Sequence, residues 1–324
     1  MITVTLLGTG ALSPIPERAL AAAALTVSGR TLLFDCGEGT QTALRREHIS
    51  PLKIDVIALT HYHGDHIFGL PGLLQTMMQE QRQTPLWIIG PGDVRPGDIR
   101  PGDAAKALAP ILTLAGALPY RVFFAAVPEE GLRLDSLLPG WETGSLLSAF
   151  PGNHSVPEQC YRYTLPRAGV FLPDKALARG IPRPLWGKLQ KGETVTLPDG
   201  GTVLPGEVMG EARRGLSVCY SGDTAPCPGL IEAARGADLF VCEGTYGDSA
   251  DTALAHSRGH STFADAAEAA AAAGAKRLWL SHFSQSMTEP EQYLSNAAAV
   301  FPDAVCGTDG MRILLRFEND APET

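Results

Sequence analysis

A short segment of the chain, THYHGDH at residues 60–66, carries three imidazoles and a carboxylate within six residues. Histidines this close together repel one another when charged and need partners when buried, so a purely structural role for them is costly. A metal ion removes both costs, because neutral imidazole nitrogens and carboxylate oxygens are natural metal ligands. His61 and His63 alternate and can face one metal, while Asp65 and His66 lie on the following turn and can face a second. The segment therefore predicts a metal site with room for two ions.

Four ligands cannot fill two metal sites, so further ligands are expected downstream. The chain has eight histidines, which leaves few candidates. His154 lies in PGNHSV, Asp223 ends the apolar run LSVCYSGD, and His282 ends the run LWLSH. Taken alone, each of them is as well explained by an ordinary polar role. Because Asp223 and His282 both follow a strand-like run, one sheet edge would collect them with the cluster, and we expect all three to be ligands.

The segments around these candidates alternate between strand-like and helix-like patterns, which indicates an α/β chain. Short apolar runs predict strands at ITVTLLG, TLLFDCG, DVIALTH, LWIIGP, LSVCYSGD, DLFVCEG and RLWLSHF. Helices are predicted at Leu70–Glu80, Ala104–Ala115 and Phe263–Ala273. The last helix is the best marked, with Thr262 and Asp265 as its N-terminal cap and Gly274 as its stop. The tandem repeat GDVRPGDIRPGD at residues 92–103 is dense in proline and glycine and predicts a loop.

Composition is that of a globular protein of one or two domains. The chain has 324 residues, of which 44% are hydrophobic and 19% charged, and it lacks a long uncharged apolar run of the kind that spans membranes. The start, MITVTLLGTG, has no basic segment before its apolar run, so we interpret it as a first strand rather than a signal peptide. Six scattered cysteines without a CxxC pair favour reduced thiols in a cytoplasmic protein over a disulfide framework.

Charge is distributed unevenly along the chain. The net charge is −9, which argues mildly against a polyanionic partner. Between Arg162 and Lys191, however, seven basic residues face one acidic residue, a net +6 that leaves −15 for the rest. This segment is either an ordinary solvated excursion or a patch for an anionic partner. From about residue 165 to 214 the chain is rich in Pro, Gly and basic residues with little helix or strand periodicity, which predicts an inserted arm on a globular core.

Taken together, these segments resemble the metallo-β-lactamase superfamily and, within it, the ribonuclease Z branch, endonucleases that trim the 3′ ends of precursor tRNA. The metal motif is typical of the whole superfamily, whereas DCGEGTQ at 35–41 and HST at 260–262 are similar to the branch. LGTG at 7–10, followed by Pro14 and Arg18, resembles the start of that branch. SGDT at 221–224, EGTY at 243–246 and SHFS at 281–284 follow in family order, so the resemblance covers essentially the whole chain.

The resemblance implies a metallo-β-lactamase αββα sandwich with metals at one edge. It implies two zinc ions, with other divalent metals as an alternative. One ion would be held by His61, His63 and His154, the other by Asp65, His66 and His282, with Asp223 bridging the two.

The resemblance also implies roles in the reaction. Asp65 would orient and deprotonate the attacking water. His260, paired with Glu243, would steady the phosphate or donate a proton to the departing oxygen. Asp35 would orient the ligand side chains. The catalytic residues are therefore expected to be Asp65, His260 and Glu243.

The arm is where the sequence departs from the resemblance. Residues 1–324 would form one hydrolase domain, and its arm, at about 165–214, would bind RNA through Arg179, Arg183 and Lys188. The resemblance further implies a homodimer in which the arm of one subunit serves the active site of the other. However, IPRPLW at 181–186 lacks the glycine of the family's Gly-Pro turn, and SQSM at 284–287 stands where the family often has Ser-x-Arg-Tyr.

We therefore expect a zinc-dependent endoribonuclease that removes the 3′ trailer of precursor tRNA. A hydrolase of the same fold that acts on a small phosphodiester or another ester is the alternative, favoured by the acidic body and the altered arm. A nucleic-acid-binding protein without activity is the third interpretation. The complete set of seven candidate ligands argues against it, because an inactive site has no need of them.

Overall fold

The computed structural model describes residues 1–92 and 103–318. The tandem repeat GDVRPGDIRPGD lies almost entirely outside these residues. The strands are β1 (Ile2–Gly8), β2 (Ala22–Val27), β3 (Arg30–Phe34), β4 (Ile54–Ala58), β5 (Leu86–Ile89), β6 (Val122–Ala125), β7 (Leu132–Arg133), β8 (Leu146–Pro151), β9 (Gln159–Arg167), β10 (Val195–Thr196), β11 (Thr202–Val203), β12 (Arg213–Tyr220), β13 (Leu239–Glu243), β14 (Leu278–Ser281), β15 (Val305–Cys306) and β16 (Arg312–Leu315).

The helices lie between and after these strands. They are α1 (Thr40–Arg46), α2 (Gly64–Ile67), α3 (Leu70–Gln79), α4 (Asp103–Ala115), α5 (Leu134–Leu137), α6 (Pro173–Ala178), α7 (Arg183–Gln190), α8 (Pro228–Ala234), α9 (Thr252–Ser257), α10 (Phe263–Ala273) and α11 (Leu294–Ala298).

Two sheets form the body of the protein. The first has the strand order β16-β1-β2-β3-β4-β5-β6 and the second the order β15-β14-β13-β12-β9-β8-β7. In each sheet the strands that precede the candidate ligands run parallel: β3 with β4, and β12 with β13 and β14. Since the carboxyl ends of parallel strands meet at one edge, this topology brings the polar residues after them together.

Packing follows the alternation of side chains along each strand. In β3, Leu32 and Phe34 join the core between the sheets, where Tyr220 from the second sheet stacks on Phe34, while Leu33 joins the outer layer. Helices cover both outer faces: Leu73 of α3 packs over the first sheet, and α8 and α10 over the second. Strands buried on both faces read as continuous apolar runs, which is why the sequence marked them clearly. The αββα sandwich is confirmed.

The three predicted helices are present. The helix α10 has the predicted bounds; the Thr262 hydroxyl accepts from the Asp265 N–H at 3.2 Å, and the Asp265 carboxylate accepts from the Thr262 N–H at 2.8 Å. Gly274 ends the helix in the left-handed conformation with φ of 64°. The helices α3 and α4 begin and end within one residue of the predicted positions.

The arm, residues 168–212 between β9 and β12, is more regular than its sequence indicates. Although the sequence shows little helix or strand periodicity here, the arm contains α6, α7 and the hairpin β10–β11. Its buried apolar side chains pack on one another and form a small core of their own, made of Ala176, Ile181, Leu189, Val195, Val203 and Val208. The elements are too short for periodicity to reveal them.

Two basic residues that the sequence assigned to the positive segment belong to the body. Arg162 lies in β9 and donates to the carbonyls of Ala233 and Arg235 at 3.0 and 2.6 Å. Arg167 packs over the Phe317 ring at 5.1 Å. Residues 168–212 hold five basic and five acidic residues, so the net charge of the arm itself is zero, in contrast to the +6 counted for residues 162–191.

Two further features concern the cysteines and the length of the helices. All six cysteines are free thiols, and five of them are buried. Among the described residues, no helix combines the length and the apolar character that crossing a bilayer requires.

Candidate metal centre

The candidate ligands meet where the carboxyl ends of the parallel strands face each other across the two sheets. Asp35 directly follows β3, and His61 comes three residues after the end of β4. Asp223 and His282 follow β12 and β14 in the second sheet. The two edges are tied together, because the Tyr161 hydroxyl of the second sheet donates to the Leu59 carbonyl of the first at 2.8 Å.

The first group of ligands consists of three imidazoles. Nδ1 of His63 lies 3.1 Å from Nε2 of His61 and 3.2 Å from Nε2 of His154. His154 comes from the loop between β8 and β9, ninety-one residues away in the chain. The three nitrogens lie within 4.8 Å of one another. The structure therefore brings together the trio that the resemblance assigned to one metal.

The second group combines two imidazoles with two carboxylates. Oδ1 of Asp223 lies 3.2 Å from Nε2 of His66 and 3.1 Å from Nε2 of His282. Oδ2 of Asp65 lies 3.5 Å from Nε2 of His282. The other oxygen of Asp223, Oδ2, lies 3.8 Å from Nε2 of His61, a member of the first group. Asp223 thus lies between the two groups, with one carboxylate oxygen facing each of them.

Three of the imidazoles, those of His66, His154 and His282, are held from behind through the ring nitrogen that faces away from the centre. Asp35 Oδ2 accepts from Nδ1 of His66 at 2.8 Å, and the Gly259 carbonyl accepts from Nδ1 of His154 at 2.8 Å. The Thr245 hydroxyl lies 2.9 Å from Nδ1 of His282. Such partners fix the ring orientation and leave Nε2 free to bind a metal.

Two residues of this edge have strained backbones. Asp35 has φ of 53° and His282 has φ of 58°, a region that non-glycine residues rarely adopt. Asp35 is held there by accepting from the Thr60 N–H at 2.8 Å and from the Thr60 hydroxyl at 3.0 Å. Strain of this kind collects at functional sites, where the surrounding structure enforces a particular side-chain direction.

Buried polar atoms at the centre fit a bound cation. Nε2 of His66, Nε2 of His282 and Oδ1 of Asp223 are buried, and no hydrogen bond reaches them from any residue in the described part of the chain. An unsatisfied buried polar group costs about 1–3 kcal/mol. A divalent cation between these atoms would satisfy all three at once, and imidazole with carboxylate is a suitable donor set for it.

The charge states agree with this donor set. Burial, together with the neighbouring imidazole of His66, holds the pKa of His61 well below its ordinary value, so this ring is neutral. Burial alone would raise the pKa of Asp223, but the rings of His282 and His66 outweigh it and hold that pKa well below its usual range. His66 behaves differently, because burial is outweighed by the carboxylates of Asp223 and Asp35, which raise the pKa of His66 well above its ordinary value. The centre thus places a neutral imidazole at His61 and an ionised carboxylate at Asp223 side by side.

His260 and Glu243 form a pair beside the metal ligands. Nδ1 of His260 lies 3.0 Å from Oε1 of Glu243 and 4.0 Å from Oδ2 of Asp223. The same Glu243 carboxylate accepts from the Thr224 N–H at 2.7 Å and from the Thr245 hydroxyl at 2.6 Å. Burial opposes protonation of His260, but the charge of Glu243 and its hydrogen bond outweigh it and raise the pKa of His260 to about 9. His260 is thus placed to carry a proton.

Sequence reasoning missed several residues that hold the centre. Thr245 contacts His260, His282 and Glu243 through one hydroxyl. The backbone N–H of Leu12 donates to Oδ2 of Asp65 at 2.9 Å. Thr245 could have been suspected from the sequence, since it stands two residues after the expected Glu243 in EGTY. The role of a backbone N–H cannot be read from the sequence.

The predicted RNA-binding residues lie in the arm and have different surroundings. Arg179 forms an ion pair with Glu207 inside the arm. The Arg183 guanidinium lies 5.6 Å from the centre of the Trp186 ring. Lys188 is exposed on α7. Within the described residues, no hydrogen bond or ion pair joins this trio to the metal ligands, so the structure does not bring them into the candidate centre.

Comparison with known proteins places these observations in a family. A family model described as anti-Pycsar protein Apyc1 matches residues 2–93, and one described as a beta-lactamase superfamily domain matches residues 204–283. The ribonuclease Z of Lachnoclostridium phytofermentans is 40% identical, over 99% of this chain and 100% of its own length. That of Alkaliphilus oremlandii is 39% identical, over 98% and 100%.

Solved structures with a similar fold also cover nearly the whole chain. Human tRNase Z, short form, has 26% identity and a TM-score of 0.64, covering 97% of this chain and 100% of its own. The metallo-beta-lactamase fold protein YhfI from Bacillus subtilis has 20% identity and a TM-score of 0.65 with the same coverage, and supports the fold alone. Because full-length relatives exceed one third identity, the chain belongs to the ribonuclease Z family of the metallo-β-lactamase fold.

Proposed function

We infer that this protein is a metal-dependent endoribonuclease that removes the 3′ trailer of precursor tRNA. The observation that carries this function is similarity over the full length to proteins named ribonuclease Z. The convergence of imidazoles and carboxylates at one sheet edge supports it, because a metal-dependent hydrolase needs such a donor set.

We propose that the centre holds two zinc ions. His61, His63 and His154 would hold one, and Asp65, His66 and His282 the other, with Asp223 between them. When bound, such ions supply Lewis acidity at a phosphoryl oxygen and lower the pKa of water toward ~7. The closed nitrogen trio and the mixed nitrogen–oxygen group support this division, since both suit zinc.

The chain's own residues would then perform the proton transfers. Asp65, whose direction is fixed by the Leu12 N–H, orients the attacking water and takes its proton. His260 donates a proton to the departing oxygen, and Glu243 keeps it protonated and correctly aimed. General acid–base groups placed in this way contribute typically ~10²–10⁴-fold to a rate.

We further propose that the arm binds the RNA and that the protein acts as a cytoplasmic homodimer. The exposed basic residues of α6 and α7, Lys175 and Lys188 among them, could neutralise backbone phosphates. Because no hydrogen bond or ion pair among the described residues joins the arm to the metal ligands of its own chain, the arm of a second subunit could serve this active site. The unpaired thiols support a reducing compartment.

A hydrolase of small phosphodiesters is the second candidate. The engagement of Arg179 by Glu207, and of Arg162 by the body, favours it, since both reduce the charge available to RNA. Parallel assays on a precursor tRNA and a small chromogenic diester test the two functions. The proposed function expects one cut at the trailer junction. Rapid diester hydrolysis without any cleavage of precursor tRNA would favour the second candidate.

A further inference from the structure

Glu158 is a buried acidic residue that lies outside the proposed ligand sets and the proposed proton transfers. It is the last residue of the loop at 152–158, which joins β8 to β9 and carries His154. Glu158 is only 7% exposed, and both of its carboxyl oxygens are buried without a hydrogen bond from any group in the described part of the chain. Buried side-chain oxygens nearly always have such a partner, so this exception needs an explanation.

The carboxyl group of Glu158 fits between two glycines that belong to different ligand loops. Gly152 begins the loop that carries His154, and a methyl group on it would overlap Oε2 of Glu158. Gly222 directly precedes Asp223, and a methyl group on it would stand 2.6 Å from Oε1, which is closer than non-bonded atoms pack. Because both glycines lack a side chain, each backbone packs directly against one carboxyl oxygen.

Hydrogen bonds tie the same two loops together. The Asn153 N–H donates to the Thr224 hydroxyl at 2.8 Å, and the Ala225 N–H donates to the Asn153 carbonyl at 2.9 Å. These bonds limit how far the loops can separate, while the Glu158 carboxyl group between their glycines limits how closely they can approach. The separation of the ligands that the two loops carry therefore depends on the size of this one side chain.

The Glu158 carboxyl group is uncharged in these surroundings. Burial, together with the nearby carboxylates of Asp223 and Asp35, raises the pKa of Glu158 well above its ordinary value. An uncharged group can fill the space between the glycines but cannot attract a cation by its charge. Glutamine has the same shape and is likewise uncharged, so it should serve equally well, whereas alanine leaves the space empty.

We propose that Glu158 is a positioning residue of the metal centre. Its carboxyl group is a spacer that sets the distance between His154, a ligand in the first group, and Asp223, the carboxylate between the two groups. This inference rests on the two-metal centre of the proposed function, and it holds for any substrate. It explains why a buried acid without a hydrogen-bond partner stands beside both ligand loops.

Zinc affinity, measured by competition with a chelator, tests the proposal in the full chain. Glu158→Ala should weaken zinc binding about 10–100-fold, the usual effect of losing a residue that supports a metal ligand. Glu158→Gln should bind zinc as the wild-type protein does. Gly152→Ala alone should weaken binding, because its methyl group and Oε2 of Glu158 would occupy the same space. Unchanged affinity in Glu158→Ala would overturn the proposal.

The double variant Gly152→Ala with Glu158→Ala is the decisive case. The added methyl group then occupies the space that the carboxyl oxygen vacated, and the backbone of Gly152 does not have the left-handed conformation that alanine would resist. We expect the double variant to bind zinc more tightly than either single variant. Independent effects would instead multiply, and a double variant that shows the product of the two losses would overturn the positioning role. An equal loss in Glu158→Gln and Glu158→Ala would overturn it too, since charge rather than size would then matter.

Cobalt(II) bound in place of zinc separates positioning from a general loss of stability, because its visible absorption depends on the geometry of its ligands. Glu158→Ala should change this absorption. Leu44→Ala is the matched control: it truncates a fully buried side chain in the outer layer of the first sheet, so it should lower the melting temperature and leave the absorption unchanged. If Glu158→Ala does not fold, recovery of folded, zinc-binding protein in the double variant supports the proposal, and failure to recover overturns it. A wild-type protein that binds no zinc would overturn the two-metal centre itself.

Discussion

The metal-centre edge and the arm differ in what their polar side chains contact. At the edge, five of the seven candidate ligands are buried, and partners such as Asp35 and Thr245 fix the direction of His66 and His282. In the arm, basic residues such as Lys188 stand exposed on a small core that packs on itself. On this contrast we propose a division of labour: the edge would perform the chemistry on any suitable phosphodiester, and the arm would select the substrate.

The largest effect is expected from Asp223→Ala, which tests the edge. Loss of the carboxylate that touches both ligand groups should reduce bound metal from about two equivalents per chain and abolish hydrolysis of both substrates. Elemental analysis and parallel assays measure this, with Asp303→Ala as a control. One tightly bound metal, unchanged in Asp223→Ala, would rule out two bridged sites.

The next effect is expected from His260→Ala. It should slow hydrolysis of both substrates by about 10²–10⁴-fold while both metals stay bound, because His260 is proposed as an acid and not as a ligand. Metal content and single-turnover rates separate the two roles. Loss of metal in this variant would show that His260 is a ligand, which its 4.0 Å distance from Asp223 makes geometrically feasible.

A smaller effect, confined to one substrate, is expected from a double change in the arm, Arg183→Gln with Lys188→Gln. It should weaken precursor-tRNA cleavage and reduce the dependence of RNA affinity on salt by about one logarithmic slope unit per lost phosphate contact. Hydrolysis of a small diester should fall far less. Arg179 is left unchanged because its ion pair with Glu207 belongs to the arm's own fold.

The matched control for the arm is the double change Lys53→Gln with Arg316→Gln. Both residues are exposed and lie at the end of the strands opposite to the centre. Their substitution removes the same number of positive charges as the double change in the arm. Equal losses from both double variants would mean that total charge, and not the arm, governs RNA binding. Equal losses on both substrates in the arm variant would mean that the arm supports the catalytic fold.

The smallest effect on the chemistry is expected from Leu189→Ala. Leu189 is fully buried in the core of the arm, so its truncation should cost about 2–5 kcal/mol of local stability. Limited proteolysis should then cut the arm faster, while metal content stays unchanged. Leu177→Ala, an exposed change in the same arm, is the control. Loss of metal in Leu189→Ala would show that the two regions fold as one unit.

The sequence predicted the edge better than the arm for a physical reason. His61 and Asp223 follow long apolar runs that are buried on both faces, so their strands and their shared edge could be anticipated. Thr245 and the Gly259 carbonyl, which hold the imidazoles from behind, gave weak signals or none. The helices and the hairpin of the arm were not predicted because they are short. The positive charge of the arm was overestimated because Arg162 is part of a body strand.

We propose that an edge able to cut phosphodiesters is directed to tRNA by the arm. Mapping the 3′ ends produced when zinc-loaded protein acts on a precursor tRNA tests this, with the diester rate measured on the same preparation. We expect a single cut at the trailer junction, which is lost as salt rises while diester hydrolysis continues. Intact precursor tRNA at low salt, from protein that hydrolyses the diester, would contradict it.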